Sequence, residues 1–328
     1  MSVTTDFRLD APVRPRVTWS DLLWLTWRQH RWTISLTAFG AAGLMGAMAV
    51  SAVLLRRAPE LLQQPWTVLL WPNALLSLPW VLGLLVGVFW GAPLLAREYE
   101  QRTNLLVWSQ DLPMWRWVFG KAALLCVVLA SLGLALGCVS SALVAHVNEL
   151  STYPSTVGLF DPDGFENSPL LQPVYAVFGF ALGLAVSAVT RRSMVAVAVT
   201  FVLYGVVRVG VVLFVRPSWW TPLRVYEPVH EDSRFYATNA NDLMVGYGHA
   251  DAAKVDVEVP RVCYSETYSD SGGYARCLDD HGIVWTVIEY QPLVRRTAFQ
   301  FAEFGLFLAL TAALFALTWW WMRRSDRV

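Results

Sequence analysis

Residues 122–145 read AALLCVVLASLGLALGCVSSALVA, twenty-four positions without a charge. As a helix this stretch rises about 36 Å, more than the roughly 30 Å hydrocarbon core that about 20 apolar residues span. Working outward, five more stretches read the same way. They are residues 32–55; 75–95, inside a charge-free run from Leu61 to Ala96; 167–190; 193–215, holding Arg208; and 299–322, holding Glu303. Six runs of this length point to an all-α polytopic membrane protein. The composition agrees, with 55% hydrophobic and 15% charged residues, the reverse of the balance that keeps a chain disordered. The 25 basic and 25 acidic side chains cancel, so no basic excess remains to neutralise phosphates and no nucleic-acid partner is expected.

Orientation follows from where Arg and Lys collect in the short connections. With six spans both termini share a side. That side receives Arg8, Arg14, Arg16, Arg28, Arg31, Arg97, Arg102, Arg116, Lys121, Arg191, Arg192, Arg323, Arg324 and Arg327, against Arg56 and Arg57 on the other. Both termini are therefore expected in the cytoplasm of a cell-membrane protein. Residues 1–17 contain Asp6, Arg8 and Asp10 and no apolar core, and read as a cytoplasmic tail, not a cleavable signal. Residues 18–32, TWSDLLWLTWRQHRW, crowd Trp and Leu ahead of Arg28 and Arg31. They predict an amphipathic helix at the membrane surface; an extension of the first span is the other reading. The remaining organisation is five spans over 33–215 with a cytoplasmic loop at 96–116, an outer segment at 216–298, a sixth span at 299–322 and a cytoplasmic tail at 323–328.

Helices in lipid gain little from the hydrophobic effect and associate where small residues let backbones approach. Such residues recur at intervals of four: Gly83, Gly87 and Gly91; Gly133, Gly137 and Ser141; Gly179, Gly183 and Ser187; Ala38, Ala42 and Gly46. A charge inside a span is costly unless paired. Arg208 and Glu303 fall at comparable depth below the outer surface, which predicts an ion pair between the fifth and sixth spans, chiefly to fix helix register.

The outer segment is too long for a plain connection. VDVEV (255–259) and IVWTVIEY (283–290) alternate as half-exposed strands do. Cys263 and Cys277 flank a turn-rich stretch outside the cytoplasm, where a disulfide is expected. A metal site is not, because the spacing lacks a CxxC pair and supplies no histidine at ligand distance. Acidic residues of the outer loops, including Glu149, Asp161, Asp163 and Glu166, read equally well as a surface that attracts cationic molecules and as ordinary solvated surface. No phosphate-loop, HExxH or GxSxG motif occurs and the five histidines are scattered, so no catalytic residue is assigned and no cofactor is expected in the chain itself.

The connection AREYEQRTNLLVWSQDLPMWRWVFGK carries Arg97, Glu98, Glu100, Arg102, Thr103, Pro113, Arg116 and Lys121. This arrangement resembles what permeases of the type-2 ABC exporter family carry after their second span. The last span, with Tyr290, Gln291, Pro292, Arg295, Gln300, Glu303 and a Trp-rich end, is similar to that of an actinobacterial transmembrane transport protein group. The resemblance implies that the loop is a coupling helix docking on a separate ABC ATPase subunit, which would hold ATP and Mg. On that reading the permease is expected to pair with a second copy and to export a hydrophobic or amphipathic cargo such as an antibiotic, peptide or lipid. The outer segment is longer than in many family members, which separates the cargo class from the resemblance. Two other classes share this topology: a membrane-embedded lipid-modifying enzyme, and an ABC-coupled complex that transmits force to an outer partner.

Overall fold

A computed structural model describes residues 18–58, 71–101, 114–150, 157–229, 241–264 and 273–325. Six helices long and apolar enough to cross a membrane dominate these residues. We label them α1 (Trp19–Arg57), α2 (Pro72–Glu100), α3 (Met114–Leu150), α4 (Leu171–Thr190), α5 (Ser193–Ser218) and α6 (Arg296–Ser325).

Helix α1 starts at a capping box, in which the Thr18 hydroxyl accepts from the Asp21 N–H and the Asp21 carboxylate accepts from the Thr18 N–H, satisfying donors that a helix start leaves without partners. It then runs for 39 residues without a break. Residues 18–32, expected as a surface helix or as an extension of the first span, are continuous with the helix of that span. No glycine or proline interrupts residues 18–32, so nothing forces the ladder to stop.

Helix α4 is the pillar of the bundle. In its most apolar window 78% of the residues are buried, against 22% in α1, α5 and α6. The glycine stripes explain how its neighbours come so close. A Cβ on Gly87 would stand 2.7 Å from the Gly179 carbonyl oxygen, and one on Gly91 2.5 Å from that of Phe180. On α3, a Cβ at Gly137 would meet the Ser168 carbonyl oxygen at 2.5 Å. Helices α2 and α3 therefore both rest backbone-to-backbone on α4 and the chain leading into it. The small residues of α1 play no such part, since a side chain at Gly40, Gly43 or Gly46 would meet nothing within 4 Å.

Two turns of the bundle are π-helical, Gly87–Gly91 in α2 and Val211–Val215 in α5. Just past the first, the buried Ser187 hydroxyl accepts from the N–H groups of Leu95 and Ala96 at 3.2 and 2.7 Å, binding α2 to α4. Helices α4 and α5 meet in a sharp reversal with Arg191 left-handed (φ 55°). The Glu100 carboxylate accepts from the Ser193 N–H and hydroxyl at 2.8 and 2.7 Å, so an acid from α2 caps the first turn of α5.

Beyond α5 stands a three-stranded antiparallel sheet in the order β1–β3–β2, with β1 Leu223–Pro228, β2 Leu243–Asp251 and β3 Ile283–Gln291. The alternating run at 283–290 is thus the central strand. The run at 255–259 is not a strand and makes one bridge, Ala250 to Asp256. The Asp251 carboxylate accepts from the N–H of Ala253 and Val255 and Lys254 has φ 61°, so the chain turns immediately before the alternating run. Cys263 and Cys277 form a disulfide with Cα atoms 5.5 Å apart. It joins a helical turn at Arg261–Tyr264 to a short helix at Gly273–Asp280, over a small core with Leu278 and Ile283.

Candidate functional site

Four ionised side chains meet at the sheet end of the bundle, each at most 2% exposed. Arg208 and Arg216 come from α5, Glu303 from α6 and Glu166 from the chain just before α4. Arg208 bonds Glu166, and its Nη1 lies 3.5 Å from Glu303 Oε1. Arg216 donates from Nη2 to Glu166 Oε1 at 2.8 Å, and from Nε and Nη2 to Glu303 at 3.0 and 3.1 Å. Each arginine thus touches both glutamates, and the four close a neutral ring. The Tyr175 hydroxyl donates to Glu303 Oε1 at 2.6 Å, and the Arg208 guanidinium lies 3.5 Å from the centre of the Tyr175 ring.

The second π turn brings the two arginines onto one face. Eight residues of ideal α-helix rotate to about 80° past two full turns. A π turn absorbs one residue, leaving Arg216 within about 20° of Arg208. Glu166 reaches the ring because its loop folds into the bundle. Asn167 Nδ2 donates to the Leu76 carbonyl at 2.7 Å, Gln300 Nε2 to that of Phe165 at 2.9 Å, and Arg296 to those of Leu159 and Gly164 at 2.9 Å. Glu166 was expected on a solvated outer surface; it is buried, because side chains of α6 and the loop's own Asn167 satisfy the backbone that water would otherwise hold. Burial also pushes the Asp163 carboxyl above its ordinary range, with Glu166 and Asp161 adding to the effect and a Ser77 hydrogen bond opposing it.

The loop residues proposed for coupling lie at the opposite end. Glu98 pairs with buried Lys121 of α3 at 2.5 Å, and Glu100 caps α5. Arg97 is exposed, and the Arg116 guanidinium lies 4.9 Å from the centre of the Trp19 ring. Arg102, Thr103 and Pro113 fall outside the described residues.

Residues 56–216 match the model of a family described as ABC-2 membrane transporter related. The chain carries an ABC-2 membrane domain. No curated protein and no solved structure matches it. With its six apolar helices, this ABC-2 protein is a multi-pass membrane protein of the ABC transporter permease type. The matched segment begins at the end of α1 and closes on Arg216, so it contains Glu166, Arg208 and Arg216 and leaves Glu303 to the last helix of the ABC-2 chain.

One sequence expectation about the outer segment changes. A histidine does stand beside the cysteine pair: His281 Nδ1 is 3.8 Å from Cys277 Sγ and 2.8 Å from the Cys277 carbonyl oxygen. Its position four residues after Cys277, at the end of the same short helix, was the readable signal. With both sulfurs in the disulfide, no thiolate is available to a cation.

Proposed function

We propose that the chain is the membrane subunit of an ATP-driven exporter, with both termini cytoplasmic, residues 96–116 docked on a separate ABC ATPase, and a second copy completing the transport path. The observation that carries this reading is how the start of that loop is fastened. Glu98 binds α3 through Lys121, Glu100 binds the first turn of α5 through Ser193, and both lie at the end of α2. A push on the loop therefore reaches three helices at once, as a subunit driven by an external energy source requires. The basic residues around this end support its cytoplasmic placement. The open face at Gly205 and Gly210 on α5 suits close approach of a second copy.

Affinity purification of the full chain from its native membrane tests the reading. A phosphate-loop ATPase should co-purify, and Glu100→Ala together with Glu98→Ala should abolish stimulation of its hydrolysis. Failure to capture an ATPase, or full stimulation by the double variant, would sink it.

A further inference from the structure

Helix α1 packs along α3 and leaves a gap against α2. The gap holds two cavities that share Thr33, Phe89, Trp90 and Arg97. The larger, about 790 Å³, is walled by apolar residues such as Leu36, Leu44, Leu82 and Leu85. The smaller, about 350 Å³, brings polar groups into its lining, Gln29, His30, Glu98, Gln101 and Lys121. Resting on the membrane-permease reading, we infer that this groove binds one anionic lipid of the bilayer, its headgroup on Arg97 and an acyl chain along α1 and α2.

Three observations lead there. The first is charge: Lys121 is neutralised by Glu98 at 2.5 Å, whereas exposed Arg97 forms no direct ion pair with another described residue and is felt by the Glu100 carboxylate, already bonded to Ser193, only at longer range. One positive charge is left over at the polar end, complementary to an anion. The second is position. Arg97 lines both cavities, at the junction of the apolar and polar parts, where an arginine can lay its stem on apolar surface and offer its charge to a headgroup. The third is length. From His30 to Leu44 the α1 wall rises about 21 Å, against about 15 Å for half the hydrocarbon core, so the groove accommodates the chain of a lipid from the adjoining leaflet. A helix from a second copy fits less well, because it would bury the Arg97 charge against an apolar face.

Native mass spectrometry of the detergent-solubilised full chain tests this, using phosphatidylglycerol and phosphatidylcholine with identical acyl chains. Phosphatidylglycerol should be retained about tenfold more tightly, the value of one charge-assisted hydrogen bond. Arg97→Gln should erase that preference and Arg97→Lys should keep it. Leu85→Trp should fill the groove and weaken both lipids. A phosphatidylglycerol with a diazirine on its acyl chain should cross-link within residues 32–44 and 78–90. Equal retention of the two lipids, an unchanged preference in Arg97→Gln, cross-links elsewhere, or copies cross-linked to each other through the Gly40 face would overturn it. None of these readouts needs an ATPase or transport, so failure here leaves the permease reading standing, and failure to capture an ATPase leaves the lipid site standing.

Discussion

The two ends of the bundle hold their charges in opposite ways. At the sheet end, four side chains no more than 2% exposed form a closed ring in which each charge meets two of opposite sign. At the other end, Lys121 is 5% exposed but its partner Glu98 is 24% exposed, and Arg97 faces open space. Separating the ring would leave bare charges in a dry interior, whereas separating Lys121 from Glu98 lets water reach at least one partner. The bundle thus has a locked end and a compliant end. The compliant end is the one that carries the loop proposed to receive work from an ATPase.

The comparison breaks most visibly at the ring. Glu303→Gln should cost about 3–5 kcal/mol by stranding two arginines, read as a drop in the unfolding midpoint of the purified protein in detergent. Combining Arg208→Glu with Glu303→Arg should not restore the ring. The carboxylate introduced at position 208 would then face Glu166, and the guanidinium introduced at position 303 would face Arg216, so only an exchange of all four positions restores every contact. Rescue by the simple exchange would show a pair and not a ring.

Next in size is the disulfide beside the locked end. Cys263→Ser should cost the sheet segment about 3 kcal/mol in the chain-entropy model, seen as faster proteolysis of the outer segment while the bundle stays resistant. At the compliant end Lys121→Met should cost only about 1–2 kcal/mol. A loss as large as that of Glu303→Gln would erase the distinction between the ends.

The smallest effect concerns pH. Burial lowers the His249 pKa from its ordinary value of 6.5, so the folded sheet favours the neutral ring. The stability this contributes is present above about pH 6.5 and is lost as pH falls through the depressed value. His249→Phe, which keeps the edge-on ring contact with Tyr247, should flatten that acid dependence in a pH series of unfolding midpoints.

Some of this was readable in advance. Charge-free runs located all six helices, because hydrocarbon tolerates only long apolar segments with their backbone bonds made internally. The chemistry of Cys263 and Cys277 and the alternation of Ile283–Gln291 were equally plain. Arg208 and Glu303 stood out because a charge in an apolar run has few explanations. Glu166 and Arg216 did not. One sits in a loop rich in acids, the other at the end of a span where an arginine is ordinary. Strand β2 was hidden because glycines at 246 and 248 dilute its pattern, while VDVEV alternates and yet makes only one bridge.

What the sequence alone determined is therefore the solvent and the spans: which segments live in lipid, and which residues are too small to keep helices apart. What only the tertiary structure decided is which faces meet and how deep a loop goes. The π turn at Val211–Val215 rotates Arg216 into line with Arg208, and the hydrogen bonds from α6 and Asn167 draw Glu166 inward. The first rests on a local departure from 3.6-residue periodicity and the second on partners far away along the chain, and neither leaves a mark on its charge pattern.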